Sequence, residues 1–175
     1  MNTYKKSERL CHLRYKELLF SKGESFLLFP FRVSYLMLEQ NLEPILFQST
    51  VKVFEGIEAG RSPIRQRQNP SWPHLKLPER ALFPYPSKCL IGVSKKNFRL
   101  AVKRNRIKRL VKEAYRKNKS AFYTFLEDRD QLCLLGLIYV APSILPYDEI
   151  ESKILLILQK LQEKIALAES AAKTQ

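Results

Sequence analysis

A compact α/β sandwich, with helices packed on a small sheet, is the fold class predicted by three observations. The chain has 175 residues, 45% of them hydrophobic and 11% aromatic, enough for one sizeable core. Apolar residues recur at helical spacing in the basic run after residue 100 and again after residue 147. Short apolar runs of strand length precede and separate those two helices. The predicted order is helix, strands, helix, strand, helix, with no internal repeat.

The first helix is expected from Ser7 to about Ser21, ending at Gly23 as a C-cap. Ser25–Phe29 reads as a short strand, with Pro30 suited to an edge or a bulge. Phe31–Leu38 is the better strand. Its alternation sends Phe31, Val33, Tyr35 and Met37 to one face and Arg32, Ser34, Leu36 and Leu38 to the other. Ile45–Phe54 can extend the sheet as a hairpin partner.

Residues 55–88 hold six of the ten prolines and show no periodicity, so an extended insertion is expected there. Its lone Trp72 is assigned to packing on its own domain. Cys89–Val93 then reads as a buried strand leading into the basic helix, and Leu132–Val140 as a second. Pro142 and Pro146 punctuate a turn. The last helix begins near Tyr147–Asp148, with Asp148, Glu149 and Glu151 at its positive end and Ile150, Ile154, Ile157, Leu158, Leu161 and Ile165 as its buried stripe. The whole, 1–175, is expected to be a single domain with a frayed tail at about 167–175.

Charge is distributed very unevenly. Lys95–Lys119 holds twelve Lys or Arg and one acid, Glu113, a net +11 of the chain's +14. Within it Ile107, Leu110, Val111, Ala114 and Tyr115 form an apolar stripe, while Asn105, Arg109, Lys112 and Arg116 line up opposite. Arg104, Arg106, Lys108 and Lys117 flank that row. A face made only for solubility mixes signs and gains i,i+4 Glu–Lys pairs. This face is nearly all positive, the footprint of a polyphosphate partner such as nucleic acid.

Signals for independent catalysis are missing. His12 and His74 stand isolated, and no GxSxG, P-loop or GxGxxG occurs. Cys11, Cys89 and Cys133 are far apart with no CxxC pair, which fits a reducing cytoplasm; Cys89 and Cys133 read as core residues. Glu127, Asp128 and Asp130 read as a solvated loop. No signal peptide or membrane-length apolar run is evident, so no membrane partner and a cytoplasmic location are expected.

The order of residues in the basic run carries a resemblance. Ser94-Lys95-Lys96, then Ala101-Val102-Lys103-Arg104-Asn105-Arg106-Ile107-Lys108-Arg109 and Glu113-Ala114-Tyr115-Arg116, resembles the signature of the bacterial ribonuclease P protein component. Lys6-Ser7-Glu8-Arg9-Leu10, Leu19-Phe20 with Gly23, Leu137-Ile138-Tyr139 and Leu145-Pro146-Tyr147 resemble further parts of that family. The resemblance covers about 1–40 and 87–165.

It implies a sandwich with a small, mostly antiparallel four-stranded sheet, three helices and a left-handed βαβ crossover. It also implies a protein subunit with no catalytic residues of its own. Its partners would be the ribonuclease P catalytic RNA and precursor tRNA, whose 5′ leader is removed with Mg²⁺ bound mainly by the RNA. Carried over residue by residue, Lys95, Lys96, Arg104, Asn105, Arg106, Lys108, Arg109, Lys112 and Arg116 would contact the catalytic RNA. Phe20 and Tyr35 match aromatic positions of a cleft for the leader, with core packing as the competing reading. Lys16 stands where another apolar cleft residue is expected, and Asn97-Phe98-Arg99-Leu100 lacks a glycine that some members carry. A ribosomal or ribosome-assembly protein with a similar basic module is the alternative.

Overall fold

The computed structural model describes residues 3–11, 13–38 and 84–173. Ile45–Phe54, Trp72, His12, His74 and most of the Pro-rich segment lie outside the described residues. The described chain forms β1 (Glu24–Leu28), β2 (Phe31–Leu38), β3 (Ser87–Val93) and β4 (Leu132–Tyr139), with α1 (Leu13–Lys22), α2 (Ala101–Glu127) and α3 (Tyr147–Lys173). The strand order is β1-β2-β4-β3. β1–β2 and β2–β4 are antiparallel, and β3–β4, joined through α2, is parallel. The result is a four-stranded, mostly antiparallel sheet with three helices, in the expected order.

The alternation in β2 sets the layers. Phe31, Val33 and Tyr35 join Cys89, Cys133, Leu135, Leu137 and Tyr139 in one core, closed by Ile107, Val111 and Tyr115 of α2 and by Ile150, Ile154 and Leu161 of α3. Leu36 and Leu38 face the other way and pack with Leu134, Leu10, Tyr15 and Leu19 beneath α1. Register enforces this division, because Tyr35 pairs with Leu135 and Leu135 with Cys89, one row across three strands.

Four boundaries differ from expectation. Residues 6–8 form a separate 3-10 turn, and α1 begins only at Leu13. Between them Arg9 bridges β3 at Cys89, and the Leu10 amide donates to the Cys89 carbonyl at 3.0 Å. Backbone pairing to the sheet edge therefore overrides the helical pattern. Pro30 sits in the two-residue turn between β1 and β2, after a cis Phe29–Pro30 bond, rather than in an edge strand. β3 begins at Ser87, so the expected insertion cannot reach residue 88. Helix α3 continues to Lys173, into the expected tail.

Gly23 ends α1, but its φ is not positive. Close approach explains it: a Cβ there would stand 2.2 Å from the Leu19 carbonyl oxygen and 2.9 Å from that of Tyr35. Gly136 works similarly, since an added Cβ would meet the Leu19 side chain at 3.1 Å. The two glycines let α1 lie flat on the sheet.

A buried ion pair locks the N-terminal segment to α2. Lys119 donates to the Glu8 carboxylate and, at 2.7 Å, to the Thr3 carbonyl. The Tyr123 hydroxyl donates to the same carboxylate at 3.0 Å. The two charged side chains are 7% and 1% exposed, so either charge left alone would be stranded away from water. Glu8→Gln should therefore cost about 3 kcal/mol in urea denaturation. Glu8→Leu combined with Lys119→Met should recover most of that loss.

Candidate RNA interface

Helix α2 turns the sequence pattern into a fixed surface. Ile107, Val111, Ala114, Tyr115, Phe122 and Leu126 are all fully buried. Asn105, Arg106 and Arg109 on the outer side are exposed; Lys108, Lys112 and Arg116 are half-buried. From Asn105 to Arg116 the row spans about 16 Å of helix at 1.5 Å per residue. Lys95 and Lys96 are exposed in the turn leaving β3, next to the start of the helix.

Not every cation of the motif points outward. The Arg104 guanidinium donates to the Phe98 carbonyl at 2.8 Å and to the Arg99 carbonyl at 2.6 Å. Asn97 donates to the Val140 carbonyl at 2.6 Å, and Phe98 is buried against Tyr139. These contacts hold the β3–α2 loop without any left-handed residue, so the missing glycine is not needed there. Arg104 thus shapes the loop that presents Lys95 and Lys96.

Electrostatics around the row are those of crowded like charges. Burial lowers the Lys112 pKa first, and Arg9, Lys108 and Arg109 push it further down. Arg116 grips Glu113 through two hydrogen bonds of 2.9 and 2.6 Å. That bond holds the Glu113 carboxyl below its usual range and raises the Arg116 pKa. A polyanion laid along this row would relieve the repulsion on Lys112.

The two aromatic cleft candidates are not brought together. Phe20 is 54% exposed on α1, free to meet a partner. Tyr35 is 7% exposed on the opposite face of the sheet, in the α2–α3 core. Its ring meets Phe26 edge-on and its hydroxyl donates to Glu24. Burial, then the Glu24 carboxylate, raises its pKa. Strand parity decides against Tyr35 as a cleft residue, since α1 covers the face of the even-numbered β2 residues.

On that face, beyond α1, one cross-strand row remains open: Leu27, Arg32, Ile138 and Gly92, paired in sequence across all four strands. Leu27 is 68% exposed and Arg32 is exposed as well. Lys16 is half-buried on α1, and its neighbour Tyr15 is buried under the helix. Parity could have marked Arg32, but the row needs the register, which no single strand reveals.

The family profile described as Ribonuclease P matches residues 64–161 of this chain, more than half of it. The chain belongs to the ribonuclease P protein family. It is also similar to the ribonuclease P protein component of Porphyromonas gingivalis, in strains ATCC 33277 and W83 alike. Identity is 42% over 65 residues, covering 37% of this chain and 47% of the relative. The chain thus spans about half the length of the curated relatives it matches. The family match takes in β3, α2, β4 and the first half of α3, while α1, β1 and β2 precede it.

Two of the three thiols of this ribonuclease P family chain are withdrawn into the core. Cys89 and Cys133 are buried; burial pushes the Cys133 thiol up to about 12 and Cys89 higher still. No group of three or more His, Cys, Asp or Glu among the described residues is placed to hold a metal ion. No described helix is long and apolar enough to cross a membrane. Sequence reading passed over Arg9 and Lys88 as site residues. The N-terminal segment places Arg9 beside Arg109 and Lys112, while Lys88 stands over the Tyr15 ring at 5.9 Å.

Arg104→Ala should lower folding stability by about 1 kcal/mol, because two charge-assisted bonds to the loop are lost. Arg106→Ala should change it by less than about 0.5 kcal/mol. Thermal or urea unfolding of the two variants side by side reads the difference.

Proposed function

We propose that this chain is the protein subunit of ribonuclease P, binding the catalytic RNA through α2 and its preceding loop and supporting removal of the 5′ leader from precursor tRNA. The observation that carries this reading is the rigid, one-signed row on α2, written in the family's own motif. Lys95, Lys96, Arg106, Lys108, Arg109, Lys112 and Arg116 meet RNA phosphates, and Asn105 adds a neutral donor. Arginine suits the task because its planar fork grips two phosphate oxygens and stays charged. Arg104 acts chiefly by holding the loop.

The single-stranded leader lies on the α1 face of the sheet. Phe20 offers a stacking ring, Leu27 and Ile138 apolar contact, and Arg32 a phosphate contact. Tyr35 has no part in it. Mg²⁺ is held by the RNA, and the catalytic RNA supplies the bond-breaking chemistry. The protein's own residues bind, orient and neutralise charge.

Reconstitution with the cognate catalytic RNA at low Mg²⁺ tests this reading. Added protein should raise precursor tRNA cleavage, and protein without the RNA should give no specific 5′ cut. Recovery of ribosomal RNA alone after crosslinking in cells would favour a ribosome-assembly role instead. If the row neutralises about five to eight phosphates, the log–log dependence of affinity on salt should have a slope on the order of −4 to −7. Arg109→Ala should flatten that slope by about 1 and leave the melting temperature nearly unchanged.

A further inference from the structure

The N-terminal segment adds a wall to the basic helix. A hollow of about 380 Å³ opens between Tyr4 and Arg9 on one side and Arg109, Lys112 and Arg116 on the other, with Glu113 at its rim. Arg9 also lines a second hollow, of about 410 Å³, shared with Lys6, Tyr15 and Lys88. Two segments a hundred residues apart thus aim cations into one space.

Arg9 is held where it is from both sides. Its backbone bridges Cys89, and the preceding Glu8 is the buried partner of Lys119 and Tyr123. Tyr4 donates its hydroxyl to the Cys89 carbonyl at 2.8 Å and sets its ring edge-on against Tyr115. The Arg9 guanidinium lies 5.7 Å from the centre of the Tyr4 ring. Among the described residues, the only acid lining the hollow is Glu113, which is already engaged by Arg116. Burial, and then Arg9 with Lys108 and Arg109, lowers the Lys112 pKa, and an anion seated in the hollow would offset that repulsion.

We propose that Arg9, fixed on the N-terminal strap, and Arg109, Lys112 and Arg116 of α2 form a two-sided clamp for one RNA backbone phosphate. The inference rests on the RNA-binding reading above and adds to it a second wall. A flat row of cations grips phosphates from one side only. A phosphate seated in the hollow takes a planar fork from the strap and another from the helix, so the RNA strand is fixed in register as well as attracted. The strand can then turn past Arg9 toward Lys6 and Lys88.

The test uses the full-length protein and its cognate catalytic RNA, with dissociation constants measured across a salt series and melting temperatures alongside. Arg9→Ala should weaken binding on the order of tenfold and reduce the salt slope by about 1. Arg9→Lys should restore the slope, because it restores the charge, but only part of the affinity, because it lacks the fork. Arg9→Ala and Arg109→Ala combined should cost less than the product of the single losses, since each leaves the clamp one-sided. Wild-type affinity in Arg9→Ala, with a clear loss in Arg109→Ala, would overturn the clamp while leaving the helix reading intact. So would an unchanged salt slope in Arg9→Gln, a variant that keeps a polar side chain with an N–H donor and drops the charge. Failure of the wild-type protein to bind this RNA would instead overturn the functional reading itself.

Discussion

Burial of the apolar side of α2 is the constraint on which the rest of this structure depends. Twelve cations between Lys95 and Lys119 repel one another, and within that run the one acid, Glu113, is taken up by Arg116. Ile107, Val111, Tyr115, Phe122 and Leu126 offset the repulsion, each contributing about 2 kcal/mol as it leaves water. The sheet and α3 supply the surface that accepts them. A helix held so firmly displays its outer face without rearrangement, so a polyanion laid along it would meet little ordering cost.

The sheet divides the molecule into two working sides. On one, α2 and α3 close the main core and α2 shows its cations. On the other, α1 packs over Leu38 and Leu134 and leaves the row of Leu27, Arg32, Ile138 and Gly92 open. Edge strand β3 lies between these sides. Its outer edge is bridged at Cys89 by the strap that carries Arg9, so protection of a strand edge and placement of a cation come from one device. The Glu8–Lys119 pair fits this arrangement: a buried charge pair adds little net stability, but it specifies where the strap must sit.

Much of this was legible in the sequence because local periodicity and burial agree. The stripe of α2, the alternation of β2, the stripe of α3 and the burial of Cys89 and Cys133 all follow from spacing alone. Tyr35 shows where reading by resemblance fails. Its place in β2 was right and its face was predicted, yet which face α1 would cover depends on packing between elements far apart in the chain. The N-terminal boundary failed for a related reason. Residues 7–12 carry a helix-like pattern, but the amide of Leu10 finds a better partner in β3 than in its own segment. Arg104 stands among outward cations in sequence, and only the fold of the loop reveals carbonyls within its reach.

By itself, the sequence determined that this chain folds as a small α/β sandwich carrying one strongly basic amphipathic helix. It also determined, through the residue order of that helix, the family to which the chain belongs. Those properties reside in contiguous residues, whose spacing of 3.6 or 2 dictates which side faces the core. Tertiary structure decided which cations stand together, which face of the sheet stays open, and that Arg9 meets Arg109 and Lys112. Such neighbours come from strand register, from close approach at Gly23 and Gly136, and from a buried ion pair across more than a hundred residues. Those couplings leave no periodic trace in a single chain.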